Sequence, residues 1–350
     1  MTDDRQLQIW FLSTSTEIWG AEKSLMTLGQ QLISGHAVRA VLYSSSPELV
    51  DLWDAAGGES YLIPRKVDHN APARSILWLA SLLRKAKGKP DVVVIFNLSI
   101  APFIDFLRLR FFRSRLILDL HDYLQTSRGR RRVRWASKRF DKVIAISQFA
   151  ASQADPQVPT VVITRPIEQT TSPASTSNAK RLIGVIGRVD PDKHLEFLLL
   201  VARLAPHLKF DVRGAASQVW TDYATELMRE ANDNITWSGR VAQSRIFDDL
   251  AVVFIPNHEE ALGRVVLEAQ LAGIPVVAPS HGGTSELVTD GETGYIYSAK
   301  DASSAISKLE LALRTHNSTT KAARELALVV SDPGRYAKDY LQAIVDGGDQ

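Results

Sequence analysis

Two series of short, almost purely aliphatic runs, spaced by amphipathic segments, constrain this chain more than any other feature. The first series is IWFLS (Ile9 to Ser13), VRAVLY (Val38 to Tyr43), SYLIP (Ser60 to Pro64), DVVVIF (Asp91 to Phe96), RLILDL (Arg115 to Leu120), KVIAIS (Lys142 to Ser147) and TVVIT (Thr160 to Thr164). Helical patterns lie between them. One runs near Ala21 to Ser34, with Leu25, Leu28, Leu32 and Ile33 on one face; others fall near Pro47 to Ala56, Arg74 to Lys87 and Ala101 to Arg110. The second series is RLIGVIG (Arg181 to Gly187), LKFDVRG (Leu208 to Gly214), NITWSG (Asn234 to Gly239), AVVFIPN (Ala251 to Asn257) and IPVVAP (Ile274 to Pro279). Its helices are expected from Lys193 to Leu204 and through Trp220 to Ala231. Strands that are aliphatic on both faces and separated by helices describe a parallel sheet covered on both sides. The expectation is an α/β fold of two doubly wound Rossmann-like domains facing a cleft.

The 350 residues suit two domains, and 45% hydrophobic content supplies two cores. The segment EQTTSPASTSNAK (Glu168 to Lys180) is Ser/Thr-rich, lacks large apolar groups and reads as a linker. The boundaries expected are therefore 1–168 for the first domain, 169–180 for the linker and 181–332 for the second domain. A helix in 333–350 is expected to cross back to the first domain. Cysteine is absent, so disulfides and thiolate metal sites are excluded, which fits a reducing cytosol. The polar start MTDDRQLQIW does not read as a secretory signal. The longest apolar stretch, Val92 to Leu107, is interrupted by Asn97, Pro102 and Asp105 and reads as a strand followed by a helix, not a membrane span.

Chemistry concentrates in NHEEALGRVVLEAQLAGIPVVAPSHGGTSELVTDGETGYIY (Asn257 to Tyr297). A strand feeding a Gly-containing loop and then a helix N-terminus is an anion site, because backbone N–H groups and the helix dipole face the ligand. Glu260 and Glu268, eight residues apart, would repel phosphate but suit hydroxyls, so the pattern reads as a pocket for a phosphorylated sugar or nucleoside. Glu259 reads as an ordinary helix or cap residue. Asp190-Pro-Asp192 reads as turn and cap chemistry rather than a metal site.

The run EALGRVVLE resembles the Glu-x7-Glu motif of retaining glycosyltransferases of the GT-B fold, most closely family 4 (group 1), and LAGIPVVAPSHGGTSELVTDGETGYIY continues the resemblance. Ala261 stands where the family often has Gly. Arg165-Pro166 and Gly214-Ala215-Ala216 stand where it carries Asn-Gly and Gly-x-Gly-Pro. The resemblance implies a retaining, metal-independent hexosyltransferase with no cofactor. It would use a nucleotide-diphosphate donor (a UDP- or GDP-sugar) and a glycan or lipid-linked acceptor, in bacterial cell-surface polysaccharide or glycolipid synthesis. GRVDPDKHLEFLL matches the family's Gly-Arg…Lys element: Gly187 leaves the strand, and Arg188 and Lys193 would hold the departing diphosphate. Glu268 would accept hydrogen bonds from the ribose hydroxyls, and Glu260 would face the transferred sugar. Backbone groups of Ala261, Leu262, Gly263, Arg264 and Val265 would meet phosphate or sugar. EIWGAEKSLMTL (Glu17 to Leu28) resembles the family's Gly-Gly-Ala-Glu segment, with Trp19 for the first Gly and Gly20 kept for close approach of the donor. Trp19 would shape the acceptor pocket. His121, in LDLHDY, corresponds to the family's His-Asp and would lie by the transferred sugar, oriented by Asp122.

The net charge of +2 hides an imbalance. From Arg108 to Lys142, twelve Lys and Arg face three Asp, a local excess of nine that leaves the remainder seven negative. In IDFLRLRFFRSR and SRGRRRVRWASKRF, cations and large apolar groups mix as on an interfacial surface, with Arg130, Arg131, Arg132, Arg134 and Trp135 at its centre. The expected partner is an anionic membrane, placing the protein on its cytoplasmic face; nucleic acid is the weaker reading of the same segment. A nucleotide-sugar epimerase of the same fold and a non-catalytic nucleotide binder are the alternatives that the sequence leaves open.

Overall fold

The computed structural model describes residues 6–35, 38–63, 72–86, 88–167, 182–315 and 319–346, with the side chains of 72–74 and 101–102 left aside. The expected linker, 169–180, lies outside the described residues. The chain forms two compact units, one of Met1–Pro166 with Asp332–Gln350 and one of Ile167–Ser331.

The first unit runs β1 (Leu7–Ser13), α1 (Gly20–Ser34), β2 (Val38–Ser44), α2 (Pro47–Ala55), β3 (Glu59–Leu62), α3 (Pro72–Lys85), β4 (Val92–Ile95), α4 (Ile104–Arg110), β5 (Arg115–Leu120), α5 (Ser127–Ser137), β6 (Lys142–Ala145), α6 (Gln148–Ala151) and β7 (Thr160–Val162). Its sheet order is β3-β2-β1-β4-β5-β6-β7, every pair parallel. The register sets Ile9 beside Val92 and Ile117 beside Lys142. Both sheet faces are covered, by one cluster around Trp10, Trp78, Val93 and Leu118 and another around Ile9, Phe11, Val94 and Ile117. That double burial is why the strands read as unbroken aliphatic runs. The helix expected from Ala101 begins instead at Ile104, after a 3₁₀ segment Leu98–Phe103. Pro102 supplies no N–H to a regular helical ladder at that point.

The second unit runs β8 (Leu182–Ile186), α7 (Leu195–Leu204), β9 (Lys209–Arg213), α8 (Thr221–Glu230), β10 (Ile235–Gly239), β11 (Leu250–Phe254), α9 (Arg264–Leu271), β12 (Val276–Pro279), β13 (Tyr295–Tyr297), α10 (Ala302–Arg314) and α11 (Thr320–Val330). Its sheet order is β10-β9-β8-β11-β12-β13, again parallel throughout. The strand order reverses between β8 and β11. In open α/β sheets the loops leaving the strands at such a point form the ligand crevice.

The last helix, α12 (Pro333–Val345), belongs to the first unit. Asp332 caps it by accepting from the Arg335 N–H at 2.5 Å, and Pro333 opens its first turn. Tyr336, Tyr340, Ala343 and Ile344 pack with Ile9, Phe11, Leu25 and Leu28. Burying such a side chain contributes on the order of 2 kcal/mol each. The carbonyls at its C-terminus are met by cations: Arg115 donates to Ile344 (2.6 Å), Val345 (2.9 Å) and Asp346 (2.7 Å), and Lys142 to Ala343 (2.8 Å) and Asp346 (2.9 Å).

Candidate active site

The loop after β8 sets the first part of the site. Gly187 has φ 148°, a conformation that favours glycine, and a Cβ there would lie 3.7 Å from Lys193 Cε, so the lysine stem runs across it. Gly214 follows β9 under a stricter demand, since a Cβ would fall 1.7 Å from the Gly187 carbonyl oxygen. The glycine retained in Gly214-Ala215-Ala216 therefore lets the two loops touch. Arg188 is half exposed, with Nε 3.1 Å from the carboxylate of buried Asp190. Burial holds the Asp190 carboxyl above the usual range, against the pull of Arg188 and Lys193.

Two sequence expectations need correction here. Lys193 does not open α7; it closes a 3₁₀ turn, Pro191–Lys193, and His194 intervenes with φ 50° before the helix starts at Leu195. Asp190 takes the cap position of that turn without making a side-chain cap bond; its Oδ2 faces Arg188, and its buried Oδ1 has no hydrogen-bond partner among the described residues.

The loop after β11 brings the second part. Lys193 Nζ donates to Glu260 Oε2 at 2.6 Å, and buried Asn257 donates to the same oxygen at 2.8 Å. Asn257 Oδ1 accepts from the Glu259 N–H at 2.8 Å, and the Glu260 carbonyl accepts from the Gly283 N–H at 2.8 Å. Gly283 is forced by contact: a Cβ would sit 2.0 Å from the Ala261 carbonyl oxygen. Leu262 and Gly263 are buried, so only their backbone could meet a ligand. Gly263 caps α9 in the left-handed region, φ 87°. Arg264 and Val265 form the first turn of α9, whose N–H groups have no carbonyl four residues back within the helix. Glu268 lies one turn further, its Oε1 4.0 Å from Arg264 Nε, with 19% of its side chain exposed. Gly187, Arg188, Lys193, Glu260 and the 261–263 backbone thus lie on the loops after β8 and β11, with Arg264, Val265 and Glu268 on α9, at the sheet's switch point.

His194 and His258 adjoin that group. Their Nδ1 atoms are 3.0 Å apart and their ring centroids 4.2 Å apart. Burial and the neighbouring His194 and Lys300 press the His258 imidazole down to about 4, so it is neutral at pH 7.

In the first unit, His121 follows β5, and its side chain is only 8% exposed. Nδ1 is 3.4 Å from Asp119 Oδ1 and Nε2 is 3.6 Å from Asp122 Oδ2, so Asp119, rather than Asp122 alone, orients the ring. Asp119 is buried, is paired with the Arg165 guanidinium, and accepts from the Tyr340 hydroxyl at 2.7 Å. The Arg165 side chain also lies over the Phe96 ring. Gly20 is the first residue of α1, and the exposed Trp19 caps it, its N–H donating to Glu22 at 3.1 Å.

The basic segment divides in two. Arg108 makes a two-pronged pair with Asp141 (2.6 and 2.7 Å), Arg139 pairs with Asp105, Lys138 with Asp155, and Arg115 and Lys142 hold α12. Arg130 turns back to the Gln125 carbonyl. Arg131, Arg132, Arg134 and Trp135 are exposed on α5, as are Phe106, Leu109 and Phe112 on and just after α4. Arg139 stacks on the Trp135 ring at 3.6 Å. Among the described residues, no helix is long and apolar enough to cross a membrane.

Residues 18–169 match the family model for Glycosyltransferase Family 4, and residues 168–326 match Glycosyl transferases group 1. A D-inositol 3-phosphate glycosyltransferase of Mycolicibacterium paratuberculosis is 33% identical over 131 residues, 35% of this chain and 30% of that protein. The like-named protein of Mycobacterium marinum is 28% identical over 145 residues, 39% of this chain and 31% of its own. The match thus spans less than a third of these relatives' length. The fold is similar over nearly the whole chain to Anabaena Alr3699/HepE in complex with UDP and glucose (TM-score 0.78, 19% identity, 97% of this chain and 99% of that one). It is also similar to a sucrose-phosphate synthase from Thermosynechococcus elongatus (TM-score 0.78, 15% identity, 96% and 98%). The chain belongs to the group 1, family 4 glycosyltransferases and has their GT-B fold of two Rossmann-like units.

Proposed function

We propose that the protein transfers a hexosyl group, with retention of configuration, from a UDP- or GDP-sugar to a glycan or lipid-linked acceptor carried by the first unit. The observation that carries this reading is the grouping of Arg188, Lys193, Glu260 and Glu268 at the switch point of the second unit. A nucleoside diphosphate needs fixed cations for phosphate and carboxylates for hydroxyls, and this grouping supplies both. The complex of the Anabaena neighbour with UDP-glucose makes UDP-sugars the first donors to test.

Arg188 and Lys193 meet the charge that grows on the diphosphate as its bond to the anomeric carbon breaks, a task that needs no metal. Glu268 anchors the ribose. Glu260 now holds Lys193 and would share it with a β-phosphate oxygen while accepting from a ring hydroxyl of the sugar. As the family resemblance implies, the acceptor hydroxyl attacks from the face the diphosphate leaves and passes its proton to the departing oxygen. His121, whose Nδ1 faces Asp119, positions the sugar. Arg131, Arg132, Arg134 and Trp135 would rest on an anionic membrane, the site of a lipid-linked acceptor. Nucleotide-diphosphate release and the anomeric configuration of the product test the reading across a donor and acceptor panel. Inverted product, or conversion of the donor to its epimer without acceptor, would overturn it.

A further inference from the structure

Three side chains of the second unit place metal-ligating atoms together in a way the proposed transfer does not use. His194 and His258 present Nδ1 atoms 3.0 Å apart, and one ligand atom from each of His194, His258 and Glu259 lies within 4.8 Å of the others. All three residues are half-buried. A direct imidazole–imidazole hydrogen bond would explain the histidines but not the carboxylate beside them.

The arrangement is set by the backbone. His194 sits in the left-handed region at φ 50°, a conformation that a non-glycine residue rarely adopts. The Glu259 N–H is tied to the Asn257 side chain at 2.8 Å. His194 follows the turn after β8, and His258 and Glu259 follow β11, so the donors hang from two neighbouring parallel strands.

The distances suit an ion. With Zn–N bonds of about 2.0–2.1 Å, two nitrogens on one ion lie about 2.9–3.4 Å apart, depending on the angle between them. The observed separation of 3.0 Å is within about 0.4 Å of the roughly 3.3–3.4 Å of a tetrahedral pair. A Glu259 oxygen lies within 4.8 Å of both nitrogens and would need to close to the roughly 2.0–2.2 Å of a zinc–carboxylate bond. Two imidazoles and one carboxylate favour zinc, cobalt or nickel over magnesium or calcium, which take oxygen donors.

We propose that His194, His258 and Glu259 bind one divalent transition-metal ion of the zinc class, leaving a fourth coordination position open. The ion joins the two loops that carry Lys193 and Glu260, each adjacent in sequence to one of its ligands. It fixes those loops, and its open position accepts water or an anionic oxygen. This goes beyond sugar transfer and stands or falls independently of it.

The test uses tag-free full-length protein stripped with chelator. Calorimetric titration with zinc chloride, and metal analysis after dialysis, should give one ion per chain that magnesium does not displace. Cobalt(II) should give visible absorption of four-coordinate type. H194A and H258Q should each weaken zinc binding at least thirtyfold and E259Q about tenfold, consistent with loss of a ligand. H207A, a histidine paired instead with Glu310, should leave binding unchanged. Far-UV circular dichroism checks each fold, and E259Q serves if a histidine variant does not fold. Absence of saturable binding, or wild-type affinity in folded H258Q and E259Q, overturns the proposal.

Discussion

Replacing Lys193 with alanine separates catalysis from folding more cleanly than any other change. The lysine touches Glu260 at 2.6 Å, and the two side chains keep 24% and 27% exposure. An ion pair that wet contributes about 1 kcal/mol or less to stability, so the melting temperature of the variant should fall by no more than about 4 °C. The kinetic effect should be larger, because the role proposed for the lysine is exerted as negative charge develops. Removing one preorganised donor from such a charge costs about 3–4 kcal/mol, on the order of a hundred- to a thousandfold in turnover. Asn257 still holds Glu260, so the loop after β11 should keep its place. Lys193→Arg should restore part of the loss, since it keeps the charge but not the compact ammonium. Nucleotide-diphosphate release under saturating donor, read beside a thermal melt, gives both numbers. A folded K193A protein within about tenfold of wild-type turnover would refute the assignment of Lys193 to the leaving group.

Other variants probe the remaining parts. Glu268→Ala should lower kcat/KM for the donor about a hundredfold, from the loss of charge-assisted bonds to two hydroxyls; unaltered donor kinetics would remove Glu268 from the ribose. Arg165→Met leaves the Asp119 carboxylate buried without its cation and should cost about 3–5 kcal/mol, seen as a drop of roughly 10 °C in the melting of the first unit. For Asp141, burial opposes ionisation, but the Arg108 guanidinium and the Leu116 N–H outweigh it and hold the carboxyl below its usual value near 3.8. That contribution is complete above the unfolded value and is lost as pH falls below about 4 through the folded one. Arg108→Leu should therefore flatten the acid limb of the stability curve, and an unchanged limb would count against the pair. Changing Arg131, Arg132 and Arg134 to Gln should release the protein from anionic vesicles in cosedimentation; retained binding would end the membrane reading.

Much of the architecture is legible before any coordinates, for a physical reason. Parallel strands covered on both faces must be aliphatic throughout, so VVVI, LIGVI and LAVVF announce themselves. Elements with mixed signals do not. Helix α5 has Val133 and Ala136 as its buried apolar side chains among five arginines and reads first as charge. The YIY of β13 is too short to stand out. The start of α7 is misplaced because a histidine, not a glycine, takes the left-handed position before it.

The site divides along the same line. Glu260, Glu268, Arg188 and Lys193 carry spacings that sequence can show. The roles of Asn257 and Asp119, and the pairing of His194 with His258, depend on the folded chain. Lys193 and Glu260 are 67 residues apart, and Asp119 and Tyr340 are 221 apart. The basic segment was legible as charge, but not as a stretch in which Arg115 and Lys142 serve the end of α12.

The most direct measurement is a crystal structure of the protein soaked with the nucleotide diphosphate that stabilises it most. Phosphate oxygens within hydrogen-bond distance of Lys193 and Arg188, with both ribose hydroxyls on Glu268, are the predicted result. A nucleotide seated away from the loops that follow β8 and β11 would contradict it.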